Sequence, residues 1–161
     1  MEEINRMDLA AFVTAVGSVF EHSPWVAERA WTHRPFADLP SMHDAMIGEV
    51  RAASRDEQLA LLRAHPDLGG RARMSVASQG EQAGAGLDRL TPQQYDRLCA
   101  ANARYRDRFG FPFLFAVKGS AASDILDALD ARANSTWEAE FDTALNQVFR
   151  IAMFRLQDLV Q

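Results

Sequence analysis

The chain carries 161 residues, 48% of them hydrophobic, with a formal net charge of -5; that is enough for one domain with a sizeable core and too little to divide comfortably into two. A negative balance with no Lys/Arg block excludes the clustered basic face that a nucleic-acid partner needs, and no apolar run approaches the roughly 18 to 20 residues that span a bilayer. One cysteine, Cys99, rules out an intramolecular disulfide; the opening Met1 to Arg6 lacks a secretory pattern and Leu159 to Gln161 lacks a peroxisomal tripeptide, so a cytoplasmic protein is expected.

In chain order, Asp8 is a good N-cap for a helix that places Leu9, Phe12, Val13 and Val16 on one core-facing stripe. Ser23-Pro24 starts a second helix at Trp25, and Trp31, Pro35 and Phe36 break into a loop. Ser41 is expected to cap a third helix, buried through Met42, Ala45, Met46 and Val50. Ser54 to Glu57 forms a capping box for a fourth, which buries Leu59, Leu61 and Leu62 and runs to Ala64. Pro66 forbids its continuation, because proline has no N-H and pushes the residue before it out of the helical region. His65 is therefore placed at a helix C-terminus, presented at a chain reversal.

Residues 66 to 90 hold five of the nine glycines, which predicts a turn-rich segment with one short helix near Ser78 to Ala83. Thr91-Pro92-Gln93-Gln94 caps a long helix carrying Tyr95, Leu98, Asn102, Tyr105 and Phe109 at helical spacing, with Gly110 as its stop and Arg104, Arg106 and Arg108 on a solvated face. Phe111 to Val117 has the composition of a buried strand, but no second run offers a partner; an extended buried segment is expected, its backbone groups open to other partners, a ligand among them. Ser123 caps a short helix to Arg132, and Ser135 to Glu138 boxes the last helix, on which Phe141, Leu145, Val148, Ala152, Arg155 and Leu159 share a stripe. Arg155 is a charge where the period calls for a hydrophobe, costly unless it snorkels or meets an anion. The fold read from these patterns is all-α, a single-domain helical bundle over residues 1-161 with a turn-rich active-site segment.

The histidines His22, His33, His43 and His65 never recur at i, i+3 or i+4, and no CxxC is present, so no metal site is expected. Dinucleotide, P-loop and GxSxG signatures are missing as well. A histidine at a helix C-terminus feels the negative end of the dipole, which favours the charged ring and suits a proton carrier. Read singly, His65 also fits an ordinary capping histidine, Glu81 a solvated helix glutamate, and Ser78 and Gln82 surface polars.

Taken together, four segments carry more. His65 to Leu68 (His-Pro-Asp-Leu), Ser78 to Leu87 (Ser-x-x-Glu-Gln-x-Gly-Ala-Gly-Leu), Asn102 to Phe113 (Asn-Ala-x-Tyr-x-x-Arg-Phe-Gly-Phe-Pro-Phe) and Ile151 to Leu156 (Ile-x-x-x-Arg-Leu) resemble, in order, the 2-oxo-4-hydroxy-4-carboxy-5-ureidoimidazoline (OHCU) decarboxylases of purine breakdown. A Trp31 to Leu39 segment is similar as well. The resemblance implies a cofactor-free, all-helical homodimer that converts OHCU to (S)-allantoin and carbon dioxide. It assigns the catalytic histidine to His65 and a catalytic role to Glu81. Substrate contacts fall on Pro66, Ser78, Gln79, Gly80, Glu81, Gln82, Phe113, Leu114, Phe115, Ala116, Val117 and Arg155. Lys118 stands where some members carry arginine, and the spacing between the His and Glu motifs is shorter than in animal members. Two other readings fit the composition: a hydrolase acting on a related ureide or hydantoin, and a non-catalytic helical interaction module in which Arg155 snorkels and Phe111 to Val117 is plain core.

Overall fold

Helix starts in this chain are set by side chains that answer first-turn N-H groups, which have no partner inside the helix. The computed structural model describes residues 1-70 and 75-160, and among them nine α-helices, one 3-10 turn and no strand carry the backbone. The fold is all-α, as the periodicities imply. The helices are α1 (Glu2–Arg6), α2 (Leu9–Val16), α3 (Trp25–Ala30), α4 (Leu39–Ala52), α5 (Arg55–Arg63), α6 (Val76–Gly84), α7 (Pro92–Phe109), α8 (Ala122–Arg132) and α9 (Trp137–Leu159), with the 3-10 turn at Trp31–His33.

Several caps match the sequence reading. Asp8 accepts from the Ala11 N-H at 2.8 Å, Ser54 and Glu57 form a reciprocal box, Thr91 and Gln94 form another, and Gly110 ends α7 at φ 76°. Three lie elsewhere. Helix α4 is capped by Asp38, whose carboxylate takes the Ser41 N-H at 2.8 Å while Ser41 Oγ takes the Asp38 N-H at 3.0 Å; Pro40 is tolerated because first-turn positions need no intrahelical donor. Helix α8 begins after Ala121, whose N-H donates to Asp124 at 2.9 Å, so Ser123 lies inside the helix. Thr136, and not Ser135, accepts from the first turn of α9 through the Ala139 N-H at 3.3 Å. The stripes frayed at their ends: Leu9 is 43% and Leu159 55% exposed, whereas Phe12, Val16, Phe141, Val148 and Ala152 are buried.

The chain groups into two compact units, Met1–Ala64 together with the residues from Phe149 onward, and His65–Val148. In the first, Phe12, Val16, Val26, Met42, Met46, Val50, Leu61 and Leu62 are buried, and Phe12 stacks on Phe36 at 6.1 Å between ring centroids. Asn5 fixes the Phe36 loop by a two-point amide pairing, Nδ2 donating to Phe36 C=O and Oδ1 accepting from Phe36 N-H, both at 2.8 Å. His43 donates from Nε2 to the Phe149 carbonyl at 2.7 Å.

In the second unit an aromatic cluster forms where α7, the extended segment and α9 carry Tyr105, Phe109, Phe111, Phe113, Trp137 and Phe141; Tyr105 meets Phe113 edge-on at 5.4 Å, and Trp137 stacks on Phe141 at 5.1 Å. Glu140 is enclosed within this unit. The Tyr105 hydroxyl donates to it, and Arg132 Nε donates at 2.8 Å. Burial, then the bond to Glu140, pushes the Tyr105 hydroxyl well above the usual phenol range. Arg132 also donates from Nη1 to Leu114 C=O at 2.6 Å and stacks 4.4 Å over the Phe113 ring, while Gln147 Oε1 accepts the Ala116 N-H at 2.9 Å. Phe111 to Val117 is thus extended and mostly buried, and two of its peptide groups are answered by side chains of α8 and α9.

Removing one member of a buried ionic network leaves the other uncompensated, which typically costs about 3–5 kcal/mol. Glu140→Leu should lower the urea unfolding free energy by that amount. Tyr105→Phe, which deletes a single hydrogen bond to a charged group, should cost about 1.5–3 kcal/mol.

Candidate active site

His65 follows the C-cap of α5 and is buried, 5% exposed. Beyond Pro66 the chain reverses in a four-residue turn closed by the Gly70 N-H donating to Asp67 C=O at 3.2 Å. The third residue, Gly69, has φ 69°, whereas Leu68 is not in the positive-φ region, and this combination defines a type II turn. Three of the four residues of the reversal are held from outside it. Arg106 Nη2 donates to the Asp67 carboxylate at 2.8 Å, Asn102 Nδ2 donates to Leu68 C=O at 2.9 Å, and the Gly69 N-H donates to Gln82 Oε1 at 2.8 Å. Arg106 and Asp67 are half-exposed, so their pair contributes little, about 0–1 kcal/mol. Asn102 and Gln82 are buried.

On α6, opened by the Ser75 hydroxyl accepting from the Ser78 N-H at 3.1 Å, the 3.6-residue period puts Ser78, Glu81, Gln82 and Ala85 on one face. Ser78, Gln82 and Ala85 are buried and Glu81 half-buried, while Gln79 and Gly80 are exposed. Gln79 and Gln82, with Gly69, Leu87, Tyr95 and Asp96, line a half-open cleft of about 680 Å³ between α6 and the start of α7. His65, Ser78 and Glu81 are not among its lining residues. Pro66 is half-buried; Phe113, Leu114, Ala116 and Val117 are buried, and Phe115 is half-buried. His65, Pro66, Ser78 to Gln82 and Phe113 to Val117 therefore all belong to the second unit, and a hydrogen bond joins the His65 turn to Gln82.

Arg155 belongs to the first unit and does not snorkel: it is 6% exposed, its Nη1 donating to the Glu21 carboxylate at 2.9 Å and to Val19 C=O at 3.3 Å. Glu21 is wholly enclosed, just before His22, whose φ of 48° is uncommon for a residue with a side chain. The charge that breaks the α9 stripe is matched by a second buried charge, Glu21, which sequence reasoning did not single out. Asn102 was readable as a core-phase position on α7 but not as a clasp, and Arg106 read as solvated turns out to reach Asp67. Among the described residues no group of three His, Cys, Asp or Glu side chains is placed to hold a metal, and no helix is long and apolar enough to cross a membrane.

An all-α chain with a clamped His-Pro-Asp-Leu reversal against a Ser-x-x-Glu-Gln helix matches the family model described as OHCU decarboxylase over residues 5–157. The chain belongs to the OHCU decarboxylase family, whose members are carboxy-lyases. It is 49% identical over 159 residues to the 2-oxo-4-hydroxy-4-carboxy-5-ureidoimidazoline decarboxylase of Halalkalicoccus jeotgali, covering 99% of this chain and 90% of that one. It is 47% identical over 160 residues to the uric acid degradation bifunctional protein PucL of Bacillus subtilis, covering 99% of this chain but 32% of that longer protein. Among solved structures, that of an (S)-allantoin synthase superposes with a TM-score of 0.81 at 31% identity, over 98% of this chain and 53% of that one.

At Gly69 a side chain is opposed twice, by the positive φ and by Leu98, whose Cδ2 would stand 2.4 Å from an added Cβ. Gly69→Ala is expected to cost about 1–2 kcal/mol for the left-handed backbone alone, with the displacement of buried Leu98 added, read as a lowered midpoint in urea denaturation.

Proposed function

We propose that this protein decarboxylates OHCU to (S)-allantoin and carbon dioxide, with His65 as the acid that returns the proton. The observation that carries this reading is the near end-to-end likeness to a relative named for that reaction. Loss of carbon dioxide leaves an electron pair on the ring carbon that bore the carboxylate. The neighbouring carbon of OHCU is part of a C=N bond, so the pair moves into the ring and the substrate supplies its own electron sink, without a cofactor. The chemistry left to the protein is to orient a flat heterocycle, stabilise developing charge and deliver a proton to one face of the carbon carrying the ureido group.

In this reading His65 delivers that proton, and Glu81 hydrogen-bonds the 4-hydroxyl or the ring and poises the imidazole. Pro66, Ser78, Gln79, Gly80, Gln82 and the Phe113 to Val117 segment contact the ring and its ureido amides. Arg155 meets an anionic oxygen through its planar fork, which the Glu21 carboxylate orients. The protein acts as a cytoplasmic homodimer.

The test is turnover of freshly generated OHCU followed by circular dichroism of the allantoin formed. General acid catalysis is worth roughly 10² to 10⁴ in rate, so His65→Asn should lose that much kcat while keeping the helical spectrum; near-normal turnover rules the assignment out. Glu81→Gln should be severely impaired, and an unchanged enantiomeric excess would show that Glu81 does not set the face of protonation. Arg155→Lys keeps the charge but not the fork, and should raise KM by about tenfold or more while kcat falls less.

A further inference from the structure

We propose that Asn102 is a positioning residue for His65, acting through the peptide that joins Leu68 to Gly69. The inference rests on the reading of His65 as the proton donor. In a type II turn the central peptide carries the carbonyl of the second residue and the N-H of the third. Here those two groups are Leu68 C=O and Gly69 N-H, taken from separate helices by Asn102 Nδ2 of α7 at 2.9 Å and by Gln82 Oε1 of α6 at 2.8 Å. Types I and II differ by a half-turn of this one peptide. Flipping it would aim the carbonyl toward the Gln82 oxygen and the N-H toward the Asn102 amide nitrogen, replacing two attractions by two repulsions. With the amides oriented as they are, the type II state is the one they favour.

His65 is coupled closely to that choice. Between it and the gripped peptide stand Pro66, whose φ is fixed by its ring, Asp67, tied at both its carbonyl and its carboxylate, and the backbone of Leu68. Few soft torsions separate the imidazole from the turn, so a reversal that has lost its hold at Leu68 C=O loosens the seat of His65. The amide of Asn102 has a cost that a plain packing residue would avoid: the side chain is 7% exposed, and its Oδ1 has no hydrogen-bond partner among the described residues. A leucine would bury no lone acceptor but would leave Leu68 C=O unanswered. The retained amide is explained by the task of its other end, donation to Leu68.

Asn102→Leu removes the unpartnered acceptor but leaves the buried Leu68 C=O without its donor, so the urea midpoint is expected to fall, and kinetics are read on the folded protein well below that midpoint. Because misplacing a catalytic group by about 1 Å costs on the order of 10² in rate, kcat should fall roughly 10- to 100-fold with KM within about threefold. The His65 ring titration, followed by NMR without substrate, should move from its parent position. Asn102→Asp, which keeps the shape but replaces the donor by oxygen, serves as a second variant should the leucine protein not fold, and should show the same loss. Parent-like kcat and parent-like His65 titration in a folded variant overturn the proposal, as does a loss of kcat that only tracks the unfolded fraction. If His65→Asn itself keeps its turnover, the reading of His65 fails on its own, and the His65 titration in the Asn102 variants still decides whether Asn102 sets the environment of that ring.

Discussion

A peptide group that is buried but belongs to neither a helix nor a sheet must find its hydrogen-bond partner among side chains. This requirement governs the irregular segments of the chain. Asn102 and Gln82 answer the His65 reversal, Arg132 and Gln147 answer the extended aromatic run, and Arg155 answers Val19 in the turn after α2. Each of these side chains stands on a helix, and the helices are regular because their caps and stripes are regular. The irregular segments are thus held from outside, by polar side chains that project from helices.

The same requirement explains the buried charges. Arg132 is placed to reach Leu114 C=O, and Glu140 compensates its cation; Arg155 reaches Val19 C=O, and Glu21 compensates it. Replacing such a pair by hydrocarbon is often neutral for stability, but hydrocarbon cannot satisfy a carbonyl. The pairs are better understood as equipment for holding irregular backbone than as contributions to a core.

Much of the helical framework was legible in the sequence, because capping and period-3.6 burial act over four to eight residues. The boxes at Ser54 and Thr91, the stop at Gly110 and the unpaired extended state of Phe111 to Val117 were readable this way. Misplacements were local competitions: Asp38 against Ser41 and Thr136 against Ser135 offer equally good oxygens a few residues apart, and packing of the rest of the helix chooses between them. The candidate site was legible only through its motifs. The spacing of His65 to Glu81 says nothing of Asn102, 37 residues from the histidine along the chain, and nothing in Val19-Phe20-Glu21 marks the carboxylate as the partner of an arginine more than a hundred residues away. Such pairings are set by where helices are brought, which local pattern does not encode.

The grip on the Leu68–Gly69 peptide is made by two carboxamides, which neither gain nor lose protons across the range in which an imidazole does. A cradle of ionisable groups would alter its own shape each time the ring it carried changed charge. Uncharged amides instead give the imidazole a mount whose geometry does not depend on the charge of the ring it carries.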